Sequence, residues 1–149
     1  MNISFPIAAA LAIFSAHTSS PVNTHAKVSE VRLHAYPLSS STLTGIDTVQ
    51  IQSSAPLKVK LKSPARFITQ LEQAIATRSP ISKTAFKDDF VRFWFQVSYD
   101  DGTVRSIYIA QGSTLLMGHK LYKLDSGLKE TIREYIPAKD EYLPIRSAK

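Results

Sequence analysis

Residues that could perform nucleophilic or acid–base chemistry are present, but they form no recognised motif. Ser113, His119 and Asp125 supply the three residue types of a serine hydrolase triad, which needs a nucleophile, a base and a carboxylate in contact. Asp88 and Asp89 are adjacent carboxylates that could take part in acid–base chemistry, but a solvated turn or a helix cap explains the pair equally well. No Gly-x-Ser-x-Gly sequence occurs. We therefore predict no catalytic residues, and keep as the alternative a small envelope hydrolase that uses Asp88 or Asp89, His119 and a serine.

Metal and cofactor chemistry has little support in the composition. The 149 residues include no cysteine, which excludes disulfides, thiolate zinc sites, iron–sulfur clusters and a cysteine nucleophile. The four histidines include no His-x-x-x-His pair, and the five glycines form no phosphate-binding loop. We therefore expect no metal site and no cofactor.

The basic residues provide a first candidate binding surface. Lysine and arginine number 18 against 12 acidic residues, a formal net charge of +6. Apolar and basic residues alternate in Leu57–Lys62, so a strand there would place Lys58, Lys60 and Lys62 in one row. Such a row is a solvated face, or an edge strand that the lysines protect from pairing with other chains, or a site for an anionic protein or envelope component. Nucleic acid is the weaker partner because no recognised binding motif is present.

A second candidate surface lies on two predicted strands, the aromatic run Val91–Tyr99 and the run Thr103–Ile109 that follows it. Tryptophan, tyrosine and arginine are enriched at interface hot spots, and all three would share the face opposite the core if these strands pair. The alternative is that the N-terminal strands of the same chain cover this face. The predicted partner-binding residues are Arg92, Trp94, Gln96, Tyr108, Lys58, Lys60 and Lys62.

The N-terminal segment is typical of a signal peptide. Residues 1–26 contain no Asp, Glu, Lys or Arg, and the apolar run from Ile3 to Ala16 is too short to span a bilayer. Cleavage after Ala16, Ser20 or Ala26 is compatible with the small residues there, and Ala26 is favoured. The alternative is an apolar helix packed on the domain. We predict a periplasmic or secreted protein with no transmembrane segment after signal removal.

The remaining residues predict alternating strands and helices. Strands are expected within 27–38, 46–52 and 57–62, followed by a helix with Ser63 as its cap and Pro64 in its first turn. Two short strands and a closing helix, capped by Asp125 or Ser126, should follow the aromatic hairpin. The stretch 138–149 is predicted to be a loosely ordered tail.

The clearest local prediction concerns the hairpin around Asp100-Asp101-Gly102. A three-residue loop of the type I plus bulge form would pair Phe93 with Ile109 and Phe95 with Ile107. A two-residue loop would shift the register by one, so that Phe95 faces Tyr108 instead. We favour the first register because it places isoleucines against phenylalanines.

Together these elements predict an α+β fold: an antiparallel sheet of about five to seven short strands with two helices packed on one face, formed by residues 27–137 as a single domain. The order of elements from Leu57 to Ile136, with Tyr99-Asp-Asp-Gly102, Ile107-Tyr-Ile109 and Lys120-Leu-Tyr-Lys-Leu-Asp125, resembles small exported bacterial domains of uncharacterised function, often carried on lipoproteins. The resemblance implies export and this fold, and it supplies no catalytic residues. This chain differs from the lipoprotein form because it lacks the acylated cysteine.

These observations favour binding over catalysis. We expect an exported non-enzymatic binding protein, with an inhibitor or immunity-type protein that neutralises an envelope-acting enzyme or toxin as one form. Besides the hydrolase, the remaining alternative is a structural or adhesion component that binds an anionic envelope polymer through the lysine row.

Overall fold

A computed structural model describes residues 26–42, 45–82, 86 and 90–145. The predicted signal peptide therefore lies outside the described residues, except for Ala26. No helix in the described ranges is long and apolar enough to cross a membrane. The strands are β1 (Val28–Ala35), β2 (Leu57–Lys60), β3 (Val91–Tyr99), β4 (Val104–Ala110), β5 (Thr114–Met117) and β6 (Lys120–Lys123). The helices are α1 (Gln50–Ser54), α2 (Pro64–Ala76), α3 (Ser126–Arg133) and α4 (Lys139–Tyr142).

All six strands belong to one sheet, whose order is β2-β1-β3-β4-β5-β6. Every neighbouring pair is antiparallel. The predicted α+β class is confirmed. Within this sheet β2 and β6 are the two edge strands, and β3 lies near the centre.

The favoured hairpin register is also confirmed. Phe93 pairs with Ile109 and Phe95 with Ile107, while Trp94 pairs with Tyr108 on the opposite face. The Tyr99 N–H donates to the Thr103 carbonyl (2.9 Å), which closes a loop of three residues. Gly102 occupies the left-handed position of this loop with φ +82°, a conformation that a side chain would strain.

Helices α2 and α3 pack on one face of the sheet and bury the main core. Phe67 of α2 stacks on Phe95 of β3 with ring centroids 5.0 Å apart, and Leu71 and Leu128 are fully buried beside them. Burying a side chain of this size stabilises a fold by about 1.5–3 kcal/mol. This apolar stripe follows the helical period that the sequence shows for α2.

The predicted strand over 46–52 is wrong. Ile46 makes only an isolated bridge with Phe90, and Gln50–Ser54 forms α1. The Asp47 carboxylate accepts hydrogen bonds from the N–H groups of Val49 (2.8 Å) and Gln50 (2.7 Å), which have no partners within a helical turn. A short alternating run fits either structure, and here the helix buries Ile51 completely.

The described part of the predicted loose tail is ordered instead. Lys139–Tyr142 forms α4, and Leu143 is 0% exposed within the main core. The Leu38 N–H donates to the Tyr142 carbonyl (2.8 Å), which ties this segment to the region after β1. The mixed charges of this segment gave no indication that the side chains of Tyr142 and Leu143 are buried in the core. Residues 146–149 lie outside the described residues.

Candidate functional site

The possible serine triad is not assembled. Ser113 precedes β5, whereas His119 lies in the turn that follows it, and the four strand residues between them span about 13 Å. The Asp125 carboxylate accepts hydrogen bonds from Arg78 (2.9 Å) and from the Leu128 N–H at the start of α3 (2.8 Å). These contacts, the Arg78 hydrogen bond first, lower the pKa of Asp125. Asp125 therefore serves as the predicted cap of α3.

The other carboxylates proposed for a hydrolase, Asp88 and Asp89, lie outside the described residues. Within the described ranges, no group of three histidines or carboxylates is placed to hold a metal ion.

The aromatic surface is largely internal, which corrects the expectation that Arg92 and Trp94 are exposed contact residues. Trp94 is 6% exposed, and it packs with Ile51 of α1 in a second small core on the face opposite α2. Its indole N–H donates to the Ser106 hydroxyl (3.0 Å), so the polar atom of the ring is satisfied internally. The alternative that another segment of the chain covers this face is correct, although the cover is a helix.

Arg92 is 1% exposed and stabilises the loops beside this second core. Its guanidinium donates to the carbonyl of Ser40 (3.2 Å) and to the side-chain oxygen of Gln111 (2.9 Å). No ion pair joins it to a carboxylate of the described residues, and its Nε atom has no hydrogen-bond partner there. Burial consequently lowers the pKa of Arg92. The side chain links chain segments and offers little surface to a partner.

Gln96 and Tyr108 are the two members of this set that remain half-exposed. Gln96 pairs with Ser106 across β3 and β4, and Tyr108 packs at the margin of the second core. Without exposed Arg92 and Trp94, the two residues do not form the continuous aromatic surface that the sequence suggested.

The alternation in the lysine row predicted a strand, and the structure places this strand, β2, at an edge of the sheet. Lys58 and Lys60 are exposed on β2, and Lys62 follows the end of the strand. Lys58 donates to the Ser53 carbonyl (2.8 Å), while Lys60 forms an ion pair with Glu30. Hydrogen bonds from Lys60 and then Arg32 lower the pKa of Glu30. Of the three lysines, Lys62 alone makes no side-chain hydrogen bond or ion pair with a described residue.

A cleft of about 620 Å³ opens beside this edge, between β2, the start of α2 and the end of α3. Its apolar lining includes half-buried Val59 of β2 and Tyr135 just after α3. Leu61 and Ile136, both nearly buried, complete the apolar part. The cleft therefore has an apolar floor that the helices leave accessible.

The charged lining of the cleft is mostly basic. Lys60, Lys62 and Arg66 line it together with one carboxylate, that of Glu134. Arg66 is exposed and, like Lys62, forms no ion pair with a described residue. Ser63 occupies the N-cap position of α2 as predicted, but its side chain makes no capping hydrogen bond. The uncapped helix start adds a partial positive charge at the same end of the cleft.

The structure thus brings Lys60 and Lys62 together with residues that the sequence analysis did not assign to a site. Arg66 follows the lysine row in the chain, but Glu134 and Tyr135 are about 70 residues away from it. No local pattern pairs the end of α3 with β2, because their proximity results from both helices packing on the same sheet face.

Compared with models of known protein families, with curated proteins and with solved structures, the chain has no match.

Proposed function

We propose that this chain is an exported, non-enzymatic binding protein whose β2 cleft binds an acidic segment of another protein. An inhibitor or immunity-type protein that neutralises an envelope-acting enzyme or toxin would work in this way. The observation that carries the proposal is the composition of the cleft: three cations and one carboxylate surround an apolar floor. Apolar contact supplies affinity, and the complementary charge steers and selects the partner.

A protein segment suits this cleft better than a purely polyanionic ligand. A nucleic acid or phosphate polymer would gain from the cations but leave Val59 and Tyr135 without apolar contacts. A peptide with acidic and apolar side chains satisfies both parts of the lining. Lys62 and Arg66 have no competing carboxylate among the described residues, so a partner would not have to break an internal ion pair to reach them.

One feature of the sequence supports the exported location. The segment 1–26 carries none of the charged residues that are common in the rest of the chain. N-terminal sequencing of the protein recovered from a cell-envelope fraction tests this part, and a product that still begins at Met1 would contradict it.

The binding proposal is tested with a fluorescently labelled peptide in which Glu and Val alternate. We expect measurable binding that weakens as salt is added, and a loss of about tenfold in affinity for the double variant Lys62→Ala, Arg66→Ala, since each lost charge contact contributes part of the affinity. The matched control is Lys120→Ala, Lys123→Ala, which removes the same charge from the opposite edge strand. Equal binding by the two double variants would overturn the proposal. Tighter binding of polyphosphate than of the peptide would instead support the polymer-binding alternative.

A further inference from the structure

We infer that the acidic segment binds as an additional antiparallel strand along β2, with its acidic residues opposite Lys58 and Lys60 and its apolar residues in the cleft. This inference rests on the proposed function and specifies how the partner is recognised. Three observations support it. Backbone groups of β2 point away from the sheet, the two faces of the sheet beside β2 have different surroundings, and the opposite edge at β6 is already partly occupied.

The backbone of β2 has unpaired groups in the required positions. The Leu61 N–H donates to the Val31 carbonyl (2.9 Å), which makes Val31 and Leu61 a hydrogen-bonded pair. In antiparallel pairing such pairs alternate with non-hydrogen-bonded ones, so Leu57 and Val59 also direct their backbone groups towards β1. The N–H and C=O groups of Lys58 and Lys60 consequently point away from the sheet, and no described residue pairs with them.

The pairing of β1 with β3 confirms this alternation. The Tyr36 N–H donates to the Arg92 carbonyl (2.8 Å), so the even-numbered residues of β1 bond to β3. Their neighbours in β2, Lys60 beside Arg32 and Lys58 beside His34, are therefore the non-hydrogen-bonded positions. A strand added outside β2 would find two adjacent donor–acceptor sites at these lysines.

The two faces of such an added strand would meet different surroundings. Side chains directly opposite Lys58 and Lys60 would lie on the lysine face of the sheet, where the Lys60 side chain is 64% exposed although it is paired with Glu30. The side chains between them would point to the face of Val59, which lines the cleft. An extended segment with alternating acidic and apolar residues therefore complements both faces.

The lysines also explain why this edge accepts an acidic segment selectively. Lysines on an edge strand oppose pairing with another basic strand, including β2 of a second copy of this chain. Cross-strand Glu–Lys pairs reverse that effect. The opposite edge is less accessible, because the Ile81 N–H already donates to the Leu121 carbonyl of β6 (2.7 Å).

The test compares three peptides on the intact protein: the Glu–Val alternating peptide, the same peptide N-methylated at its Glu residues, and the same peptide N-methylated at its Val residues. In the antiparallel arrangement the Glu N–H groups bond to β2, whereas the Val N–H groups face outward. We expect the Glu-methylated peptide to bind at least about tenfold more weakly and the Val-methylated peptide to bind like the parent. Equal binding of all three would overturn strand addition while leaving the cleft proposal standing. No binding by any of them would count against the proposed function itself.

Amide hydrogen exchange provides a second, independent measurement. Peptide binding should slow exchange at the N–H groups of Lys58 and Lys60, whereas the Val59 N–H, already bonded to β1, should change little. The variants Lys60→Pro and Lys60→Ala both lose the ammonium group, but only the first loses the outward N–H. We expect Lys60→Pro to bind more weakly than Lys60→Ala at equal thermal stability. Unchanged exchange at both lysines, together with equal affinities of the two variants, would refute the inference.

Discussion

The imidazole of His34 lies against the indole of Trp94, with ring centroids 4.9 Å apart and planes tilted by 58°. The His34 Nδ1–H donates to the Gln52 carbonyl of α1 (3.0 Å), so this histidine joins the second face of the sheet to the helix that covers it. Partial burial is the first cause that lowers the pKa of His34, and the positive charges of Lys58 and Arg32 act in the same direction.

We predict that stability decreases when this histidine is protonated. Because the pKa of His34 is lower in the folded than in the unfolded chain, its contribution is complete above the unfolded value of about 6.5 and is lost as the pH falls through the folded value. Urea unfolding followed by Trp94 fluorescence should therefore show a lower free energy of unfolding at pH 5 than at pH 7.5. The control His34→Asn should reduce this pH dependence. If the free energy of unfolding of the variant depends on pH as strongly as that of the parent, His34 is not the group responsible.

Replacing Trp94 tests whether the aromatic surface is internal. Trp94→Ala should lower the free energy of unfolding by about 3–5 kcal/mol, since it removes a large buried ring beneath α1. Ser106→Ala, which removes only the acceptor of the indole N–H, should cost about 1 kcal/mol. If Trp94→Ala unfolds like the parent in chemical denaturation, the ring is exposed and the second core does not form as described.

The C-terminal segment should also contribute to global stability. Leu143→Ala should lower the free energy of unfolding by about 2–5 kcal/mol, because Leu143 is fully buried in the main core. The nearby Ile145 is 37% exposed, so Ile145→Ala is the matched control and should have a much smaller effect. Thermal and urea unfolding measure both variants. Similar stabilities would restore the interpretation of a loose tail.

Removing the edge lysines should promote self-association. The triple variant Lys58→Thr, Lys60→Thr, Lys62→Thr keeps β-forming residues on β2 but removes the charges that oppose pairing between two copies. Sedimentation velocity should show more dimer for this variant than for the parent at the same concentration. Equivalent replacement of Lys120 and Lys123 should have less effect, since the Ile81 bridge already occupies part of the β6 edge. Identical sedimentation of the triple variant and the parent would show that the lysines have no protective role.

The features that depend only on residues close together in the sequence were predicted most accurately. The register of β3 and β4 follows from the turn residues between them and from the side-chain alternation of both strands, and all of this information lies within Val91–Ala110. Asp125 was identifiable as a helix cap for the same reason, because its partner Leu128 is three residues away. Such contacts depend on short stretches of chain with well-defined geometric requirements.

The errors occurred where distant residues compete with a local pattern. Residues 46–52 alternate like a strand, but Ile51 gains complete burial by packing as a helix over Trp94, more than 40 positions away. Arg92 and Trp94 have the residue types of an interface, and only the covering segments make them internal. The polar tail similarly conceals Leu143, whose burial depends on the packing of the whole core.

The sequence by itself determined the α+β class, the aromatic hairpin, the two principal helices and the lysine row, because periodicity, turn residues and caps act over a few residues. Only the tertiary structure decided which face is covered by α1, where the C-terminal segment lies and which edge of the sheet stays open. It also formed the cleft, since Lys62 and Arg66 meet Tyr135 only after α2 and α3 pack side by side. The physical reason is that burial is shared among distant segments, and no local pattern specifies which of them will meet.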